Sequence, residues 1–151
     1  MIQNISLTIL ALLTFVFVNA QDTALVYFTR DISPQGVLKV YEKISSHTKG
    51  KVAVKVHFGE EGNKNFLPAT LMKDLVLKEN ATLVETNVLY VGKRRYTDTH
   101  IQLAKEHGFD YAPIDILDSE GDLYVPMKTK HYSEIRMGSH MNNYDTFIIF
   151  S

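Results

Sequence analysis

The stretch VAVKVHFGEEGN, Val52 to Asn63, decides the fold when it is read together with Pro68 to Val76 and with ATLVET, Ala81 to Thr86. Val52, Val54, Val56 and Phe58 alternate with Ala53, Lys55 and His57, which is the two-residue period of a strand. Gly59 to Asn65 is a glycine-bearing loop, Pro68 stands at a helix start, and Leu71, Met72, Leu75 and Val76 recur at helical spacing. Ala81 to Thr86 then reads as a further strand. A strand, a helix and a strand in this order require parallel pairing with a right-handed crossover.

The same unit recurs on both sides. Ala24 to Phe28 reads as a strand, and Ser33-Pro34 supplies a cap and a first helical residue for Val37, Leu38, Tyr41 and Ile44. After Ala81 to Thr86, Thr97 or Asp98 caps a helix that carries Ile101 and Ala104 and stops at Gly108. Beyond Pro113 the texture changes. Ile114 to Leu117 alternates, Ser119 to Asp122 is a turn, Leu123 to Val125 and Tyr132 to Met137 look like paired strands, and Tyr144 to Phe150 reads as a buried strand. The expected class is α/β: a three-layer domain with a mostly parallel sheet built from strand-helix units, followed by an antiparallel hairpin region.

A length of 151 residues bounds the chain to one ordinary domain, and 45% hydrophobic with 22% charged residues is the composition of a folded one. A formal net charge of -1 gives no field to draw in nucleic acid or an acidic membrane, so binding must come from a local site. Ile5 to Val18 is almost wholly apolar and uncharged, too short to cross a bilayer but suited to a secretory signal, and Val18-Asn19-Ala20 offers small residues before a cut. The organisation expected is a signal peptide over 1–20 and a single α/β domain over 21–151, exported to the periplasm or secreted, with no membrane contact after signal removal. A last strand with no helix after it adds the expectation that the domain is truncated at its C-terminal end.

In a parallel sheet, ligands bind where the strands end and the helices begin. Three loops qualify: Thr29 to Asp31, His57 to Asn63, and Thr86-Asn87 with Tyr90 to His100. Lys55 and His57 point the same way from their strand. A Lys in a covered strand must reach a carboxylate, a ligand or solvent, and a solvated edge strand is an open alternative. Lys93, Arg94 and Arg95 lie together just before a helix whose first turn holds His100. That is the composition of an anion clamp, with a solvated basic run as the other reading. The ligand-binding set is therefore Lys55, His57, Glu60, Asn63, Asn87, Arg94, Arg95 and His100, and a metal held by His57, Glu60 and His100 is the weaker alternative. His47 and His107 fall near helix ends and are expected to meet the helix dipoles there.

Val26-Tyr27-Phe28-Thr29 with Ser33-Pro34, and Lys55-Val56-His57-Phe58-Gly59-Glu60 with Gly62-Asn63, resemble the domain-of-unknown-function 362 family. Thr86-Asn87, Leu89-Tyr90, Gly92, Arg94 or Arg95, Thr97, His100 and His107-Gly108-Phe109 look like its next block, and Gly138-Ser139-His140 with Asn143-Tyr144-Asp145 like another. The resemblance implies an amino-terminal part of an uncharacterised iron–sulfur-centre protein whose relatives run on, many into a ferredoxin-like segment with cysteine ligands. This chain has no cysteine, so no iron–sulfur cluster is expected in it, and the cofactor is left unknown. The function expected is binding of a small anionic ligand at the C-terminal edge of the parallel strands. The alternatives are a fragment of a redox or group-transfer enzyme, whose cofactor comes from a partner chain or missing segment, and an inactive truncated product.

Overall fold

The computed structural model describes residues 24–151, so the expected signal peptide lies outside the described residues. Its centre is a four-stranded parallel sheet of β1 (Val52–Val56), β2 (Thr82–Glu85), β3 (Ile114–Ile116) and β6 (Thr146–Phe150), in the order β3-β2-β1-β6. A separate antiparallel hairpin joins β4 (Asp122–Pro126) to β5 (Glu134–Gly138). Helices α1 (Pro34–Glu42), α2 (Ala69–Lys78) and α3 (Thr97–Glu106) complete an α/β domain. No helix among the described residues is long and apolar enough to cross a membrane.

Alternation along the strands sorts the two faces. Val52, Val54 and Val56 of β1, Leu83 of β2 and Ile116 of β3 form one core with Tyr41 of α1, Met72, Leu75 and Val76 of α2, and Ala104 of α3. Each fully buried Val, Leu or Met of this set contributes about 1.5 to 3 kcal/mol. The intervening residues Ala53 and Val84 make a smaller cluster on the other face with Leu117, Met141, Tyr144 and Phe147. A 3-10 segment, Ser139–Asn143, carries part of that second cover. The upper part of this face, around Lys55 and the exposed Ile149, is left without it.

Local signals explain the helix ends. Ser33 caps α1 by accepting from the Gly36 amide at 3.1 Å, with Pro34 in the first turn. α3 starts from Tyr96 as its cap residue rather than Thr97 or Asp98, and no side chain caps it. Gly108, at φ +89, ends it with a backbone conformation that a side chain would strain.

Three expectations are corrected. Ala24 to Phe28 forms no strand; Leu25, Val26 and Phe28 are exposed, because β propensity supplies no partner and β6 occupies the place beside β1. Ile114 to Ile116 belongs to the parallel sheet, not to the antiparallel region. The last strand is an edge strand, half-buried except at the exposed Ile149, rather than a buried one.

Candidate functional site

β1 and β2 end side by side, and the loops that leave them converge. Lys55 lies in β1 opposite Val84, and Glu85 closes β2; Lys55 Nζ stands 2.8 Å from Glu85 Oε1. Glu85 is buried, so it needs that partner and more. The second is Arg94, from the 3-10 turn Lys93–Arg95 just before α3, whose Nη2 donates to Glu85 Oε2 at 3.2 Å. The turn is held by the Val88 amide, which donates to the Arg94 carbonyl at 3.1 Å.

Arg94 is the centre of the site. Its guanidinium is buried, and Nη1 donates to Glu60 Oε1 at 2.5 Å and lies 2.7 Å from His57 Nε2, while Nε donates to His100 Nε2 at 3.3 Å. Tyr90 donates its hydroxyl to the same Glu60 oxygen. His100 in the first turn of α3 is fully buried, and its Nδ1 faces Asn87 Oδ1 at 3.4 Å, so the ring is the neutral form with its proton on Nδ1. Asn87 is itself fixed: its side-chain amide donates to Thr97 Oγ1 at 3.1 Å and its backbone amide to Asp118 Oδ1 at 2.8 Å.

Burial, then the Arg94 charge, lowers the His100 pKa from 6.5 to about 4. The same two causes lower His57. Burial works against the Glu60 carboxylate, but hydrogen bonds from Tyr90 and Arg94 outweigh it and hold the group below its ordinary value. The set is thus two cations, Lys55 and Arg94, against two carboxylates, Glu60 and Glu85, with two neutral imidazoles. An open anion clamp does not describe it, since both cations already face carboxylates.

His57 is differently placed. The Gly59 amide donates to its Nδ1 at 3.0 Å while Arg94 Nη1 points at its Nε2, yet a neutral imidazole accepts at only one nitrogen. One of these contacts is unsatisfied, and the ring is half-exposed. Gly59, at φ +86, packs closely against Phe66 and His107: a Cβ there would stand 2.5 Å from the Phe66 ring and 2.9 Å from His107 Nδ1.

Beside this cluster, at the C-terminal ends of β1 and β6, a cleft of about 630 Å³ opens between Lys55, His57, Phe66, Leu67, Ile149 and Phe150. The expected set therefore divides. Lys55 and His57 line the cleft; Glu60, Arg94, His100 and Asn87 stand behind them as one hydrogen-bonded network. Asn63 does not line the cleft and accepts from the Asn65 amide at 2.8 Å, and Arg95 is exposed, over the Tyr96 ring at 5.7 Å. Lys93 is taken by Glu61 at 3.0 Å and Glu106 at 3.3 Å.

The metal alternative is not supported. Arg94 lies between His57, Glu60 and His100, a cation where the ion would be, and among the described residues no group of three His, Cys, Asp or Glu could hold a metal. His107 caps the end of α3 and meets the Phe58 carbonyl through Nδ1 at 2.7 Å. His47 lies in a 3-10 turn past the end of α1.

Glu85 and Tyr90 are site residues that sequence reasoning misses. A signal for Glu85 exists, since Lys55 demands a carboxylate and the end of the neighbouring strand supplies one. Tyr90 carries none beyond its place in the third loop. No family model, curated protein or solved structure matches the chain, so the resemblance to the domain-of-unknown-function 362 family rests on the quoted residues alone.

Proposed function

We propose that the domain binds a small ligand bearing a carboxylate or phosphate on an apolar body, in the cleft at the C-terminal edge of β1 and β6. One observation carries this reading: Lys55 and His57 project into a cleft whose other walls include Phe66, Leu67, Ile149 and Phe150. Lys55 is the cation able to change partners. If a ligand anion takes Lys55, Glu85 keeps Arg94 at 3.2 Å and the Thr86 amide at 3.1 Å, so no buried carboxylate is stranded. His57 gains as well, because turning toward a ligand relieves the nitrogen that faces a donor.

Calorimetric titration with a panel of carboxylates and phosphates tests this. Lys55→Ala should weaken binding by about ten- to a hundredfold, the loss of one charge-assisted contact of about 1.5 to 3 kcal/mol. Lys39→Ala, on the exposed side of α1, should not change it. Equal affinity in the wild type and Lys55→Ala for every ligand that binds would refute the reading.

A second reading, a redox or group-transfer fragment, draws on the lowered pKa of His57, which keeps a neutral imidazole at the cleft wall as a potential base. NMR separates the two, since a bound ligand recovered chemically unchanged favours simple binding. On the Ile5 to Val18 block we also place the mature domain outside the cytoplasm. Native protein retaining Met1 by mass spectrometry would count against that.

A further inference from the structure

Among the described residues the sheet has two open edges, β3 and β6. The β6 edge is apolar: Ile149 is 64% exposed, and a groove of about 280 Å³ runs between β6 and α1, lined by Val37, Val40, Tyr41, Ile148 and Phe150. Among the described residues the strand-forming run Ala24 to Phe28 pairs with no strand, and Leu25, Val26 and Phe28 are exposed by 75%, 89% and 80%. An open edge and an exposed apolar segment are each costly in water, and each is what the other needs.

Handedness decides which edge. α1, α2 and α3 all contribute to the core on one face of the sheet, and β1 to β2 to β3 advances in one direction through α2 and α3. A strand leading into β1 through α1 must advance in that same direction to make a right-handed crossover. It therefore starts on the side of β1 away from β2. β6 fills the first place there, so the outer edge of β6 is the nearest vacancy. Thr29 already lines the groove with Ile148, Ile149 and Phe150, so the segment before it is tethered at the C-terminal end of β6.

We propose that Leu25 to Phe28 docks on the free edge of β6 as a fifth parallel strand, a state distinct from the undocked one. With Thr29 beside Phe150, Phe28 falls opposite Ile149 and Tyr27 opposite Ile148. Leu25 and Tyr27 then enter the groove while Phe28 covers Ile149. Ile149 and Phe150 line both this groove and the ligand cleft, so the docked strand becomes an outer wall of that cleft.

The chain has no cysteine, so an introduced pair has no competitor. Phe28→Cys with Ile149→Cys changes two exposed positions, and neighbouring strands lie about 4.8 Å apart, within the reach of a disulfide. Mild oxidation of the whole chain should give a cross-linked monomer. A chain that stays reduced overturns the proposal. A disulfide found only in dimers also overturns it, and gives the edge to a second copy. Hydrogen exchange on the unmodified protein is an independent check: docking should slow alternate amides within Leu25 to Phe28 by about tenfold or more, and exchange at the rate of an unstructured chain overturns it.

Discussion

Arg94 and Asp115 each sit at the centre of a polar cluster, and the two clusters do opposite things to histidine. Arg94 gathers His57, His100, Glu60 and Glu85 at the ends of β1 and β2. Asp115, on β3, accepts from His140 Nδ1 at 2.7 Å and from the Tyr144 hydroxyl at 2.8 Å, and Glu120 stands 3.2 Å from His140 Nε2. Around the cation, burial and the Arg94 charge push both imidazoles down. Around the carboxylate, hydrogen bonds to Asp115 and Glu120 push His140 up. Burial and the sign of the central charge, not residue type, set what a histidine can do in this fold. A neutral imidazole, His57, lines the cleft with a second, His100, buried behind it, and a chargeable one, His140, pins the 3-10 segment to the sheet.

The largest expected effect comes from removing the central cation. Arg94→Met leaves buried Glu85 with only Lys55 and the Thr86 amide, its Oε2 unpaired, and deprives Glu60, His57 and His100 of a partner. Breaking a buried pair from one side costs about 3 to 5 kcal/mol. Denaturant unfolding at pH 7 measures it, and a loss below about 1 kcal/mol would show that Arg94 does not hold this cluster together. The double variant Arg94→Met/Glu85→Gln should recover part of the loss, because the stranded charge has gone with its partner.

His100 comes next. Its pKa falls from 6.5 to about 4 on folding, so the unfolded chain binds the proton more readily than the folded one. Its contribution is present above pH 6.5 and is lost as pH falls toward 4, by about 3 kcal/mol at 1.36 kcal/mol per pH unit. His100→Gln should therefore lose less stability than the wild type between pH 7 and pH 4, by about that amount in paired urea titrations. Parallel profiles would mean that the buried imidazole takes up its proton without opposing the fold.

Much of the Arg94 cluster is legible in the sequence because it is assembled by topology. Parallel strands place all their C-terminal loops at one edge, so His57, Glu60, Asn87, Arg94 and His100 can be grouped without a distance. The pairings within that edge cannot be read. Arg94 turns inward to carboxylates while Arg95, next to it, stays exposed over Tyr96, and nothing in Lys93-Arg94-Arg95 distinguishes them. The Asp115 cluster joins β3 to a segment 25 residues later, a contact with no periodic signature. Ala24 to Phe28 fails as a strand for a related reason: a strand is a property of two segments, and its own composition covers only one.

The smallest effect is at His140, and it has the opposite sign. A pKa raised on folding contributes stability that is fully present below about pH 6.5, the ordinary value, and is lost as pH rises through the folded value. Neutral His140 still donates from Nδ1 to Asp115, so deprotonation removes the ionic part of that contact and the partner role of Glu120, which is largely exposed. Pairs of this kind are worth under about 1 kcal/mol and weaken with salt. The unfolding free energy of the wild type relative to His140→Gln should therefore decline by less than that between pH 6 and pH 9, and the decline should shrink at high ionic strength. A difference that grew with pH would mean that the carboxylate of Asp115 does not govern this histidine, and the contrast with the Arg94 cluster would fail.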